Sequence, residues 1–152
     1  MRCSGSHRGF TLAELVMVVA LIAVLAAMAL PVAKFTVKRH KEAELRLALR
    51  QVRTAIDEYK RMSDQGLIPV KIGGEGYPES LEELVEGVEI VGQETKIRFL
   101  RRIPVDPMTR DEWMLRSYQD DLDATSWGGE NVYDIRTSSE GTAIDGTKYS
   151  DW

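Results

Sequence analysis

Residues 9–33 read GFTLAELVMVVALIAVLAAMALPVA. Leu15 to Leu30 is an unbroken run of sixteen apolar residues, and its extension to Ala33 is interrupted only by Pro31. At about 1.5 Å rise per residue the run to Ala33 spans about 28 Å as a helix, close to a hydrocarbon core of about 30 Å. The stretch therefore predicts a membrane-spanning helix. One carboxylate, Glu14, stands at its start, and a charge there is costly in lipid unless something compensates it. A cleaved secretory signal is the competing reading, with MRCSGSHRG as the basic region and release after Ala29 in Ala27-Met28-Ala29. The run exceeds the usual signal core of roughly 7–15 residues, which favours a retained anchor.

Outside this segment the composition is that of an ordinary folded chain. Of 152 residues, 43 % are hydrophobic and 29 % charged, so wholesale disorder is excluded. The formal net charge of −4 argues against general nucleic-acid binding, which needs a clustered basic face. The single cysteine, Cys3, excludes an internal disulfide framework and a cysteine-based zinc site.

Helical periodicity continues beyond Pro31. Leu45, Leu49, Val52, Ile56, Tyr59 and Met62 recur at three- and four-residue steps, one apolar stripe whose opposite positions hold Arg46, Arg50, Arg53, Asp57 and Lys60. Residues 10–63 thus read as nearly one helix, about 80 Å long, with Pro31 accommodated as a kink. Gly66 suits the end of it. Residues 67–78 read as a Gly- and Pro-rich loop, and Ser80 to Val85 as a short helix stopped by Gly87. Lys96 to Arg101 reads as a strand or extended connector, and Ile103 to Pro107 as a rigid link, because each proline restricts the residue before it. Trp113 to Tyr118 and Asn131 to Thr137 alternate as half-buried strands do. They predict an antiparallel hairpin with a long polar turn, with Val132 and Asp134 on one face and Tyr133 and Ile135 on the other. Ser138 to Trp152 reads as a strandless tail. The expected fold is α+β, a long N-terminal helix packed on a small antiparallel sheet, divided as residues 1–9, 10–33 and 34–152.

Gly9-Phe10-Thr11-Leu12-Ala13-Glu14-Leu15, followed by the apolar run, resembles the class III leader of type IV pilins and type II secretion pseudopilins. Pro31 stands where that family places a helix-kinking proline. The resemblance implies cleavage between Gly9 and Phe10 by a prepilin peptidase, N-methylation of Phe10, and Glu14 pairing with the terminal amine of a neighbouring subunit in a fibre. Removing Arg2 and Arg8 from 20 basic residues leaves 18 against 24 acidic ones, a net of −6, and removes Cys3 as well.

The segment IPVDPMTRDEW, the VYDIRT strand and the Asp/Gly-containing tail resemble the major, G-type pseudopilins. That likeness implies a homo-oligomeric periplasmic fibre built with minor pseudopilins on an inner-membrane assembly platform, from a single-pass inner-membrane subunit with its C-terminal domain in the periplasm. A type IV pilin for adhesion, motility or DNA uptake is the alternative. The likeness also implies a calcium ion held by the tail, with Asp145, Ser138, Ser139 and Asp151 as its ligands. The family's loop commonly carries adjacent acids, whereas here Gly146 follows Asp145.

Enzyme signatures are missing from the sequence. With the leader removed, His40 is the sole histidine, and it lies in the basic stretch Lys38-Arg39-His40-Lys41. No G-x-S-x-G accompanies it, and Gly73-Gly74-Glu75-Gly76 is not followed by the Lys-Ser/Thr of a phosphate-binding loop. Glu82-Glu83 reads as a solvated helix face, and Asp120, Asp121 and Asp123 do not meet the EF-hand pattern. The expectation is a structural subunit, not an enzyme.

Overall fold

The predicted long helix runs from Leu12 to Asp64 (α1). The structure, a computed structural model, describes residues 9–71, 75–92, 95–121, 124 and 126–152. Cys3, His7, Gly73, Gly74 and Asp123 lie outside the described residues, as does the side chain of Pro31 and with it the expected kink. The chain divides into two units, Met1–Arg39 and His40–Trp152.

In the first unit α1 starts at a threonine cap. The Glu14 N–H donates to Thr11 Oγ1 at 3.2 Å, and the Leu15 N–H to the Thr11 carbonyl at 3.1 Å. Beyond the cap, Leu12, Leu15, Val16, Met17, Leu21, Ile22, Leu25, Val32, Phe35 and Val37 all face outward.

In the second unit the expected stripe is the core. Leu45, Leu49, Val52, Ile56 and Tyr59 are buried, joined by Ala48 and Ala55, and Met62 packs at the edge. Ser63 to Leu67 ends the helix in a double reverse bond. The Gly66 N–H reaches the Ser63 carbonyl and the Leu67 N–H the Met62 carbonyl, with Gly66 at φ +70°. This Schellman closure needs a left-handed residue at that position.

The short helix forms over Leu81–Glu86 (α2). Ser80 caps it by accepting from the Glu83 N–H, while Glu83 accepts from the Glu79 N–H at 2.8 Å and from the Tyr59 hydroxyl at 3.0 Å. Leu81 and Leu84 are buried in the core.

Two small antiparallel sheets form in place of one. Val88–Glu89 (β1) pairs with Lys96–Ile97 (β2) in the register Val88 to Ile97. Met114–Arg116 (β3) pairs with Asp134–Arg136 (β4), Leu115 opposite Ile135. The hairpin is as expected, but its faces are not. Val132 and Ile135 are both buried, while Tyr133 is exposed. The pleat begins only at Asp134, because the Val132 N–H turns to the Pro78 carbonyl at 2.7 Å, so strict alternation does not reach back to Val132.

The long turn of the hairpin is held by buried polar groups. Asn131 accepts from the Tyr118 N–H and donates to Gln119, and its carbonyl accepts from Ser117 and Trp127. Asp106 is fully buried and accepts from the Met108 N–H, Thr109 and Thr137. The Trp113 indole donates to the Pro104 carbonyl at 2.7 Å. The tail carries no strand, as expected, but it is locally ordered. Thr142 bridges Lys148 antiparallel, and Tyr149–Asp151 forms a single 3-10 turn.

Candidate processing and assembly site

A peptidase needs a peptide bond free of helical hydrogen bonding. Gly9, Phe10 and Thr11 precede the first helical residue, Leu12, and all three are exposed. The Gly9–Phe10 bond thus stands outside the helix. Phe10 is 74 % exposed, and open space surrounds the position of a Cβ at Gly9.

Glu14 lies on the exposed surface of the first turn, where a carboxylate interacts favourably with the positive end of the helix dipole. The spacing Thr11-x-x-Glu14 is also that of a capping box. The Thr11 half of that box is formed, since its hydroxyl accepts the Glu14 N–H. Sequence reasoning assigned Glu14 to assembly and missed Thr11, although the T-x-x-E pattern ahead of an apolar run was there to find it.

From Leu12 to Leu25 the described side chains offer lipid or a partner an apolar surface, with Glu14 at its start. α1 is the one helix among the described residues long and apolar enough to cross a membrane, and its most apolar stretch has no buried residues. Contiguous exposed apolar area of this size marks a membrane or protein interface.

The expected metal residues have other partners. Asp145 accepts from the Thr147 N–H and hydroxyl at 3.0 and 2.6 Å and pairs with Arg46 at 3.2 Å. The Thr147 hydrogen bonds, with Arg46 beside them, hold its carboxyl below the usual carboxylate range. Asp151 accepts from Ser150, Ser138 donates to Thr109, and Ser139 accepts from the Gly141 N–H. No group of three or more His, Cys, Asp or Glu side chains is placed to hold a metal among the described residues. A calcium ion takes six to eight oxygen ligands, and the strongest expected ligand here already faces a guanidinium. The residues do not fit the ion.

What holds the tail instead comes from α1. Glu42, itself buried, accepts from the Ile144 N–H at 2.9 Å and the Tyr149 hydroxyl at 2.8 Å. Burial and Glu42 push the Tyr149 phenol up to about 12. Arg53 reaches Asp134 at 2.7 Å, the Ile135 carbonyl at 3.2 Å and the Trp152 carbonyl at 2.6 Å. The sequence put Arg46 and Arg53 on the face opposite the core stripe. Both flank that stripe, and their long side chains carry the charge across to the tail.

No curated protein and no solved structure matches the chain. Residues 5–30 match the family described as "Prokaryotic N-terminal methylation motif". The match covers Gly9, Phe10, Thr11 and Glu14 and the exposed start of α1, and it supports a type IV pilin-like protein.

Proposed function

We propose that the chain is a structural subunit of a type II secretion pseudopilus. A prepilin peptidase cuts it between Gly9 and Phe10 and methylates Phe10. α1 anchors it once across the inner membrane with the second unit in the periplasm, and the subunits then polymerise through the apolar part of α1. The observation that carries this reading is the outward-facing apolar helix that begins directly behind the Gly9-to-Glu14 motif.

Within lipid, apolar helices gain little from hiding apolar surface from one another. On leaving the membrane the same residues must be covered. Each buried Leu, Val or Ile is worth about 1.5–3 kcal/mol, so many such side chains on one segment provide the drive for a fibre. Glu14 pairs with the Phe10 amine of the neighbouring copy, which compensates both charges and sets the stagger, and Pro31 lets the helix bend as it packs. Minor pseudopilins and the inner-membrane platform are the other partners. A secretion fibre is favoured over a disulfide-closed pilin because no cysteine follows Gly9.

The test is the intact mass of the protein from its native host. Loss of Met1 to Gly9 with one added methyl group is expected. A chain beginning at Leu30 would overturn the reading, since no assembly helix would remain. Deleting the gene then assigns the fibre: loss of exoprotein release with surface pili intact is expected, and loss of motility or DNA uptake alone would replace the secretion role with a pilus role.

A further inference from the structure

Four side chains around the tail close a ring. Arg46 Nη2 donates to Asp145 Oδ2 at 3.2 Å. The other oxygen of Asp145 accepts from the Thr147 hydroxyl at 2.6 Å. That hydroxyl accepts from the Trp152 indole N–H at 2.7 Å. The Trp152 ring lies under the Arg46 guanidinium, whose carbon is 4.2 Å from the ring centroid. Tyr149 packs edge-on against the same ring, with centroids 5.3 Å apart.

A divalent cation in such a loop would organise it by gathering oxygens. Here one fixed monovalent cation does the same work by a different chemistry. The guanidinium is planar, permanently charged and weakly hydrated, so it can stack on an indole face and donate to a carboxylate at once. Calcium offers no such stacking and would have to displace Arg46 from Asp145.

Three other carboxylates of the region have partners of their own. Glu42 holds Ile144 and Tyr149, Asp134 faces Arg53 at 2.7 Å and Arg116 at 3.8 Å, and Asp151 accepts from Ser150. Adding a doubly charged ion beside Arg46 and Arg53 would be opposed by like-charge repulsion. We infer that Arg46 takes the place of a metal ion in this chain: the tail from Ile144 to Trp152 is closed by the Arg46–Asp145–Thr147–Trp152 ring and orders without a divalent cation.

The inference concerns the second unit and does not depend on whether the chain assembles into a fibre. The test is amide hydrogen exchange of the full chain in detergent micelles, read at Ala143, Ile144 and Tyr149, whose N–H groups bond to Thr147, Glu42 and Gly141. Protection is expected to be the same in calcium and in chelator. Arg46→Ala is expected to lower protection at these amides about fivefold or more, with exchange at Val52 and Ile56 unchanged, and calcium is expected not to restore it. Arg46→Lys, which keeps the charge and loses the stacked fork, is expected to fall between. Chelator alone deprotecting the tail of the unsubstituted chain would overturn the inference. So would tail protection in Arg46→Ala equal to that of the unsubstituted chain, or recovery of that variant in calcium.

Discussion

Arg53 donates to the main-chain carbonyl of Trp152 at 2.6 Å while its Nε holds the Asp134 carboxylate at 2.7 Å. One helix side chain thus ties the edge of β4 to the end of the tail. The half-buried guanidinium also reaches the Ile135 carbonyl. Arg53→Ala removes one donor from Asp134, which keeps the Ile135 N–H and Arg116, and the guanidinium donor from two carbonyls, and it is expected to destabilise the second unit by about 1–3 kcal/mol. Arg53→Lys should recover less than half of that, because an ammonium does not reproduce the planar fork. Thermal melting of both variants in detergent checks this, and equal melting of Arg53→Ala and the unsubstituted chain would contradict it.

The Tyr149–Glu42 contact sets a pH window. Folding raises the Tyr149 phenol from 10.0 to about 12. The native state therefore holds its proton more tightly than the unfolded chain does. The corresponding stability is fully present below pH 10.0 and is lost as pH rises towards 12. Tyr149→Phe should melt lower at neutral pH and show a shallower decline between pH 10.0 and about 12, by about what loss of one tyrosine's titration gives. Tyr59, raised by burial and by Glu83, declines over the same range and keeps the variant from becoming flat.

Thr11 and Glu14 separate helix starting from assembly. Thr11→Ala removes the hydroxyl that accepts the Glu14 N–H and should cost about 1 kcal/mol locally, seen as faster amide exchange at Ala13 and Glu14. Glu14→Gln keeps the amide and the cap but loses the charge. Its exchange should change little, while its yield of sheared fibre should fall severalfold or more. Normal fibre yield from Glu14→Gln would remove the pairing role from Glu14.

Ser63 and Gly76 form a coupled pair. The Ser63 hydroxyl is buried without a hydrogen-bond partner among the described residues. Gly76 has φ +75°, and a Cβ built there would stand 2.8 Å from that hydroxyl oxygen. Gly76→Ala should cost about 1–3 kcal/mol from backbone strain and the clash together. Ser63→Ala alone should be neutral or slightly stabilising, since it deletes a buried unsatisfied group. The double variant should regain part of the loss, as chemical unfolding of the four chains would show.

The sequence made legible what local periodicity and end chemistry encode. The core stripe from Leu45 to Tyr59, the short helix around Ser80 to Val85, the Gly66 stop and the β3–β4 hairpin all arise from spacing within a few residues. β1 was not legible, because two residues carry no period and its partner Ile97 lies nine positions from Val88 across a turn. Tail closure was hidden for a different reason. Glu42, Arg46 and Arg53 act on groups about a hundred positions away, and a charged residue beside an apolar stripe reads as solvated until its long-range partner is known. Asp106 was read as part of a rigid link, yet its burial depends on Thr137, which sequence distance conceals. At the N-terminus the motif placed Gly9, Phe10 and Glu14 together, while the helix boundary at Leu12 came only with the structure.

That boundary has a kinetic consequence. Among the described residues, a cut between Gly9 and Phe10 breaks no bond that holds the helix, because the first hydrogen bonds there are those of Thr11 with Glu14 and Leu15. Cleavage would be conformationally silent. It would exchange Arg2 and Arg8 for a single amine beside Glu14 and leave every later residue in its fold. On the proposed reading, a subunit would be folded before it is cut, and the peptidase's cut would set when it can join its neighbours.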